Sequence, residues 1–172
     1  MVRIARWVPF AVVSVFFLPL PALAQHEKGD TSLTGAGSLA VHGSQGGGES
    51  GVDGTLIAQL GYFAGTNTEV GALGSVFFTS SGDSSVIGLA GGYLRQYFKS
   101  DRTRPYAAVQ ALAIIGGGAT GDGRAQLGLG VRHYMTRNSA VFVEGDWGFS
   151  FGGGGTQFDK GLTIVFGFAV IL

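Results

Sequence analysis

Cysteine is absent from all 172 residues, so no disulfide holds this chain together. Its stability has to come from packing and hydrogen bonding alone. Charge is scarce as well, with 11 Lys and Arg against 11 Asp and Glu. Setting aside Arg3 and Arg6, which fall in the leader described below, leaves 9 basic residues against 11 acidic ones, a net charge near −2. That balance gives no reason to expect nucleic acid as a partner. After residue 24 no segment supplies the ~20 consecutive apolar residues of a membrane helix. Only three histidines occur (His26, His42 and His133), too far apart for a local metal motif, so neither a metal nor a cofactor is expected. The glycine runs at 46–48, 116–118 and 152–155 lack the Lys-Ser/Thr that a phosphate-cradling loop needs.

What the chain has in excess is glycine and alternation. Residues 1–24 read as an export signal. Arg3 and Arg6 open it, Trp7 to Leu18 form a short apolar centre, and Ala22-Leu23-Ala24 give a small-residue cleavage site. Pro19 and Pro21 interrupt the apolar centre, which argues against an anchor. All 32 glycines follow the signal, so glycine is about three times its usual ~7% among the remaining 148 residues. About half of these glycines lie inside alternating apolar stretches, where small residues relieve crowding in a narrow barrel.

The hairpin from Arg124 to Phe151 shows the alternation best. Arg124, Gln126, Gly128, Gly130, Arg132 and Tyr134 share one face, and Leu127, Leu129, Val131, His133 and Met135 the other. Beyond a turn at 136–139, Phe142, Glu144, Asp146, Gly148 and Ser150 oppose Val141, Val143, Gly145, Trp147 and Phe149. Side chains alternate across a strand, so each arm has an apolar and a polar or glycine face. Such faces recur on almost every strand, with no helix to cover them. The expected fold is therefore all-β: a closed antiparallel eight-stranded transmembrane β-barrel, lipid outside and a filled polar lumen inside.

The chain divides into a signal at 1–24, a polar periplasmic lead-in at 25–34 and a barrel at 35–172. Glycine- and serine-rich loops at 43–54, 80–85, 116–123 and 152–158 alternate with tight turns at 65–68, 99–104 and 136–139. Barrels of this kind have short periplasmic turns and longer outer loops, which sets the orientation. Tyr62, Tyr97, Tyr106 and Tyr134 lie beside the tight turns, and Trp147 and Phe149 lie toward the other rim. That sorting predicts two aromatic bands at the membrane interfaces.

These pieces together resemble the small eight-stranded outer-membrane barrels of the OmpA/OmpX type. The likeness rests on Gly61-Tyr62-Phe63 running into Asn67-Thr68-Glu69-Val70-Gly71, Arg104-Pro105-Tyr106, the stretch Gly128 to Tyr134, and the closing Gly167-Phe168-Ala169-Val170-Ile171-Leu172. The resemblance implies a monomer in the bacterial outer membrane, in contact with its lipid. It also implies that the last strand, Gly161 to Leu172, is recognised by the barrel-assembly machinery. That signal usually ends in Phe, and here Leu172 keeps its hydrophobic character.

The inward charges Arg95, Arg124, Arg132, Glu144 and Asp146 form the expected lumen network, since an unpaired charge in a narrow barrel is costly. Two registers of the hairpin are open, with Arg132 opposite either Glu144 or Phe142. Either allows an Arg132–Glu144 pair, with Arg124 or Arg95 meeting Asp146. A serine at Gly130 is expected to be better tolerated than an arginine at Leu129. An eight-stranded barrel is only wide enough for its side chains to fill it, which favours a plug over a low-conductance, porin-like pore. The expected function is a non-enzymatic envelope role, structural or in surface interaction. The enzymatic alternative is a lipid-modifying hydrolase using His42 and Ser44, whose His-x-Ser spacing resembles that of lipid A deacylase barrels. No matching acid is evident beyond Glu49, and the pair lies on an earlier strand than in that family.

Overall fold

The computed structural model describes residues 27–42, 51–80, 85–98, 102–115, 122–152 and 155–172. The signal sequence and Ser44 lie outside them, as does the side chain of His42. Eight strands follow one another: β1 (Thr31–His42), β2 (Gly51–Gly65), β3 (Thr68–Thr79), β4 (Ser85–Tyr97), β5 (Thr103–Ile115), β6 (Gly123–Thr136), β7 (Ser139–Gly152) and β8 (Gly155–Ile171). Each pairs antiparallel with the next, and β8 closes onto β1. Closure gives every strand a partner on each side along at least part of its length, which is what allows a sheet to sit in a medium that offers no hydrogen bonds.

The pairing also sets the stagger. Following partners from Thr31 through Tyr62, Val70, Leu94, Val109, Leu127, Trp147 and Leu162, then carrying the β8–β1 register onward, returns to β1 at Val41, ten positions along. Such a stagger goes with strands tilted by roughly 35–45° and a lumen filled by side chains.

Several boundaries differ from the sequence reading. β1 begins at Thr31, inside the expected lead-in, because Thr31 exchanges backbone hydrogen bonds with Leu172 and Asp30 accepts one from Phe63. Gly29 supports that entry with φ +110°, a conformation open to glycine, while its N–H reaches the Phe63 carbonyl. The loops expected at 43–54 and 152–158 are shorter, since the ladders run out to His42↔Gly51 and Gly152↔Gly155. Glycine weakens a strand but does not forbid its pairing.

The two faces separate cleanly. Leu33, Leu60, Val76, Leu94, Val109, Leu129, Val143 and Phe166, one from each strand, are exposed on the outside. An apolar belt running right round the barrel is not a partner-sized patch but a surface matched to hydrocarbon. Inside, all of Glu69, Arg95, Arg104, Arg132, Tyr97, Tyr106 and Tyr134 are fully buried.

Inward glycines make this crowding possible. A Cβ at Gly130 would lie 2.4 Å from Tyr106 Cζ and 2.7 Å from the Val143 carbonyl oxygen. Parity places Gly130 inside, and the space there belongs to the Tyr106 ring, so a side chain at this position has to displace it. Gly74 faces outward, and a Cβ there meets nothing closer than 3.9 Å. Gly130→Ala should destabilise the folded barrel by about 1–3 kcal/mol, the usual range for overpacking. Gly74→Ala should be neutral or slightly stabilising. Heat-modifiable gel mobility after urea titration measures both, and equal midpoints would contradict the packing described.

Candidate functional site: the lumen cluster

The centre of the lumen is Glu69, at the start of β3. Its Oε1 accepts hydrogen bonds from the Ser32 hydroxyl and from Tyr93 OH at 2.8 Å. Its Oε2 accepts from Tyr97 OH at 2.6 Å, Arg132 Nη1 at 3.1 Å and Arg95 Nη1 at 3.2 Å. One carboxylate thus gathers donors from β1, β4 and β6. Arg95 stands directly opposite it in the β3–β4 register, whereas Arg132 reaches it across the lumen.

Arg95 carries the cluster to the far wall. Its Nη2 donates to Gln59 Oε1 at 3.2 Å and to Glu144 Oε2 at 3.3 Å. Gln110 Nε2 donates to the other Glu144 oxygen at 2.9 Å. Two guanidiniums and two carboxylates therefore balance, linked in the order Arg132–Glu69–Arg95–Glu144. Rings complete the packing: Arg95 lies 4.7 Å from the Tyr106 ring centre and 5.1 Å from that of Tyr93, and Arg132 5.5 Å from that of Tyr97. Such cation–ring contacts stabilise a desolvated guanidinium beyond its hydrogen bonds.

The tight-turn end beneath is tied down as well. Arg104 Nη2 donates to the Thr66 carbonyl and to Asn67 Oδ1, both at 2.7 Å, with its guanidinium 4.5 Å from the Tyr97 ring centre. Asn138 Nδ2 donates to the Ile171 carbonyl at 2.9 Å. The opposite half of the lumen is different in character. There Leu73, Leu89, Tyr93 and Leu112 form an apolar cluster flanked by Phe77 and Ile114. Arg124 lies 5.5 Å from the Phe77 ring centre.

Three expectations change. The register places Arg132 opposite Phe142, the second of the two open choices, yet Arg132 pairs with Glu69 and not with Glu144. In a closed narrow barrel the far wall is as near as a diagonal neighbour, and Glu144 is taken by Arg95 and Gln110. Asp146 forms no salt bridge with Arg95 or Arg124 among the described residues, and its Oδ1 has no hydrogen-bond partner there. Tyr97, Tyr106 and Tyr134 are not interface aromatics: each is 1% exposed and points into the lumen. Distance from a turn was the wrong criterion, because alternation decides the face and inward glycines give the rings room. Tyr62 and Trp147 do point outward and are 46% and 44% exposed, and Phe149 shares the outward face of Trp147. Glu69 itself was absent from the expected network. The signal was available, since Glu69 shares parity with Gly71, Leu73 and Ser75, the inward face of β3.

No family model matches the chain, and no curated protein sequence matches it. Among solved structures, the N-terminal β-barrel domain of OprF from Pseudomonas aeruginosa superposes with a TM-score of 0.53 at 14% identity, covering 86% of this chain and 100% of that one. A de novo designed transmembrane β-barrel gives a TM-score of 0.50 at 13% identity, covering 86% of this chain and 99% of that one. At such identities the likeness speaks to fold. The chain is a closed eight-stranded antiparallel β-barrel with a polar lumen cluster and an apolar outer belt, the fold shared by these transmembrane barrels.

Proposed function

We propose that the barrel resides in the bacterial outer membrane, exported by the signal at 1–24, as a closed, non-enzymatic component of the cell envelope with a structural or surface-interaction role. The observation that carries this reading is the Arg132–Glu69–Arg95–Glu144 chain, which crosses the lumen from wall to wall with all four side chains at most 3% exposed. Ions would have to break charge-assisted hydrogen bonds to pass, and the broken partners would be left desolvated. The carboxylates of Glu69 and Glu144 are held by guanidiniums. The His42–Ser44 pair of the enzymatic alternative falls at the end of β1 and beyond it, with Ser44 outside the described residues. Assembly proceeds through recognition of the β8 segment Gly161 to Leu172, and the barrel functions as a monomer in contact with outer-membrane lipid.

The test is electrical. Protein reconstituted into a planar bilayer should give no steady unit conductance over hours of recording. Regular openings of uniform size from the wild-type protein would replace the plugged barrel with a small pore.

A further inference from the structure

The β1–β8 seam differs from the other seven. Among the described residues its ladder runs from Ser32↔Ile171 to Gly37↔Phe166, although β1 continues to His42 against β2 and β8 begins at Gly155 against β7. Beside this stretch the β7–β8 register shifts between Trp147 and Phe149, an irregularity of the kind that bends a strand. A void of about 830 Å³ occupies the unpaired stretch. Its walls combine outward residues, Leu39, Leu162 and Ile164, with Ser38 and Thr163, which share the parity of the inward residues of their strands. The void therefore passes through the barrel wall.

On its inner side it shares Asp53 and Phe77, both of inward parity, with a second void of about 400 Å³ in the lumen. That inner space is bounded by Ile87, Leu89 and Ile114, with Arg124 and Ser150 at its polar side. Below it lie Leu73 and Leu112, and then the charged cluster. The result is an apolar cup, closed at the floor and open at the side.

Unpaired strand edges are unfavourable beside hydrocarbon unless something polar satisfies them. An apolar cup is equally unfavourable if it is left to water. One class of molecule answers both needs: a polar head to bond the free edges, Ser38 and Thr163, and a hydrocarbon tail to fill the cup. We propose that the opening between β1 and β8 and the cup behind it bind the aliphatic chain of an amphiphile, admitted sideways from the membrane with its head at the unpaired edges. An added peptide strand could satisfy the edges but would leave the cup empty. This site goes beyond the envelope role proposed above and does not depend on it, because the plug forms the floor of the cup.

The test uses the full barrel reconstituted in phosphatidylcholine vesicles. One arm carries trace phosphatidylcholine with a diazirine at the end of an acyl chain, and the other a free fatty acid with the same group. After irradiation, peptide mass spectrometry should find adducts on inward Leu89 or Ile114 as well as on outward Val109 and Leu127. Inward labelling by the phospholipid identifies a membrane lipid as the source. Inward labelling by the fatty acid alone identifies a free amphiphile. Adducts confined to outward residues in both arms overturn the proposal, as would crosslinked copies of the chain joined through β1 and β8 without inward adducts. Ile114→Trp, which fills the cup, should reduce inward labelling to background while outward labelling persists. Leu112→Phe serves if that variant does not fold. Inward labelling unchanged in a folded filled variant would also overturn the proposal.

Discussion

Glu69→Ala should destabilise the barrel more than any other single truncation of a lumen side chain. Five donors converge on this carboxylate: three hydroxyls and the guanidiniums of Arg95 and Arg132. Arg132 has no other salt bridge among the described residues, and its Nε and Nη2 are already without hydrogen-bond partners. Removing Glu69 therefore leaves a fully buried cation uncompensated, which typically costs about 3–5 kcal/mol. Glu69→Gln keeps an oxygen for the hydroxyls but loses the charge, so its effect should fall between wild type and alanine. Adding Arg132→Met to Glu69→Ala removes the stranded charge and should recover part of the loss. Arg95 would retain Glu144, so recovery should be incomplete. Urea unfolding in lipid vesicles gives the four free energies of the cycle. If the double variant shows the plain sum of its single losses, the two residues do not interact and the cluster is not what holds the lumen.

Much of this fold is legible in the sequence because a barrel wall needs only period-two alternation and turns. Leu127, Leu129 and Val131 face outward and Arg124, Gln126 and Arg132 inward, as their spacing requires. Partner choice inside the lumen is not legible in the same way. Alternation says that Arg132 points inward, but its partner depends on which strand lies across the barrel. That depends on strand number and stagger together, which a single hairpin does not contain. The tyrosines show the complementary failure. Tyr134 shares its face with Arg132, so its position was readable, yet nearness to a turn competed with parity and misled the assignment of Tyr97, Tyr106 and Tyr134. The unpaired outer stretch of the β1–β8 seam leaves no signature at all, because it joins segments more than a hundred residues apart.

Leu129→Arg tests the other half of the architecture, the apolar exterior. Leu129 sits in the middle of β6, 58% exposed, with Ala107 and Gly145 as its cross-strand partners. The neighbouring outward side chains Leu127, Val131 and Val143 offer no carboxylate to a guanidinium. In a barrel whose belt faces lipid, arginine near the bilayer midplane costs about 2–4 kcal/mol, falling to about 0–1 near the interfaces. Tyr62, also exposed but close to the tight turn at Thr66 and Asn67, supplies the shallow comparison. Tyr62→Arg should therefore unfold from vesicles at nearly the wild-type urea concentration, and Leu129→Arg at a clearly lower one. Water around the belt would reverse the sign at Leu129, because replacing an exposed leucine by arginine would then remove an unfavourable apolar surface. Equal midpoints for wild type, Tyr62→Arg and Leu129→Arg would deprive the belt of its lipid.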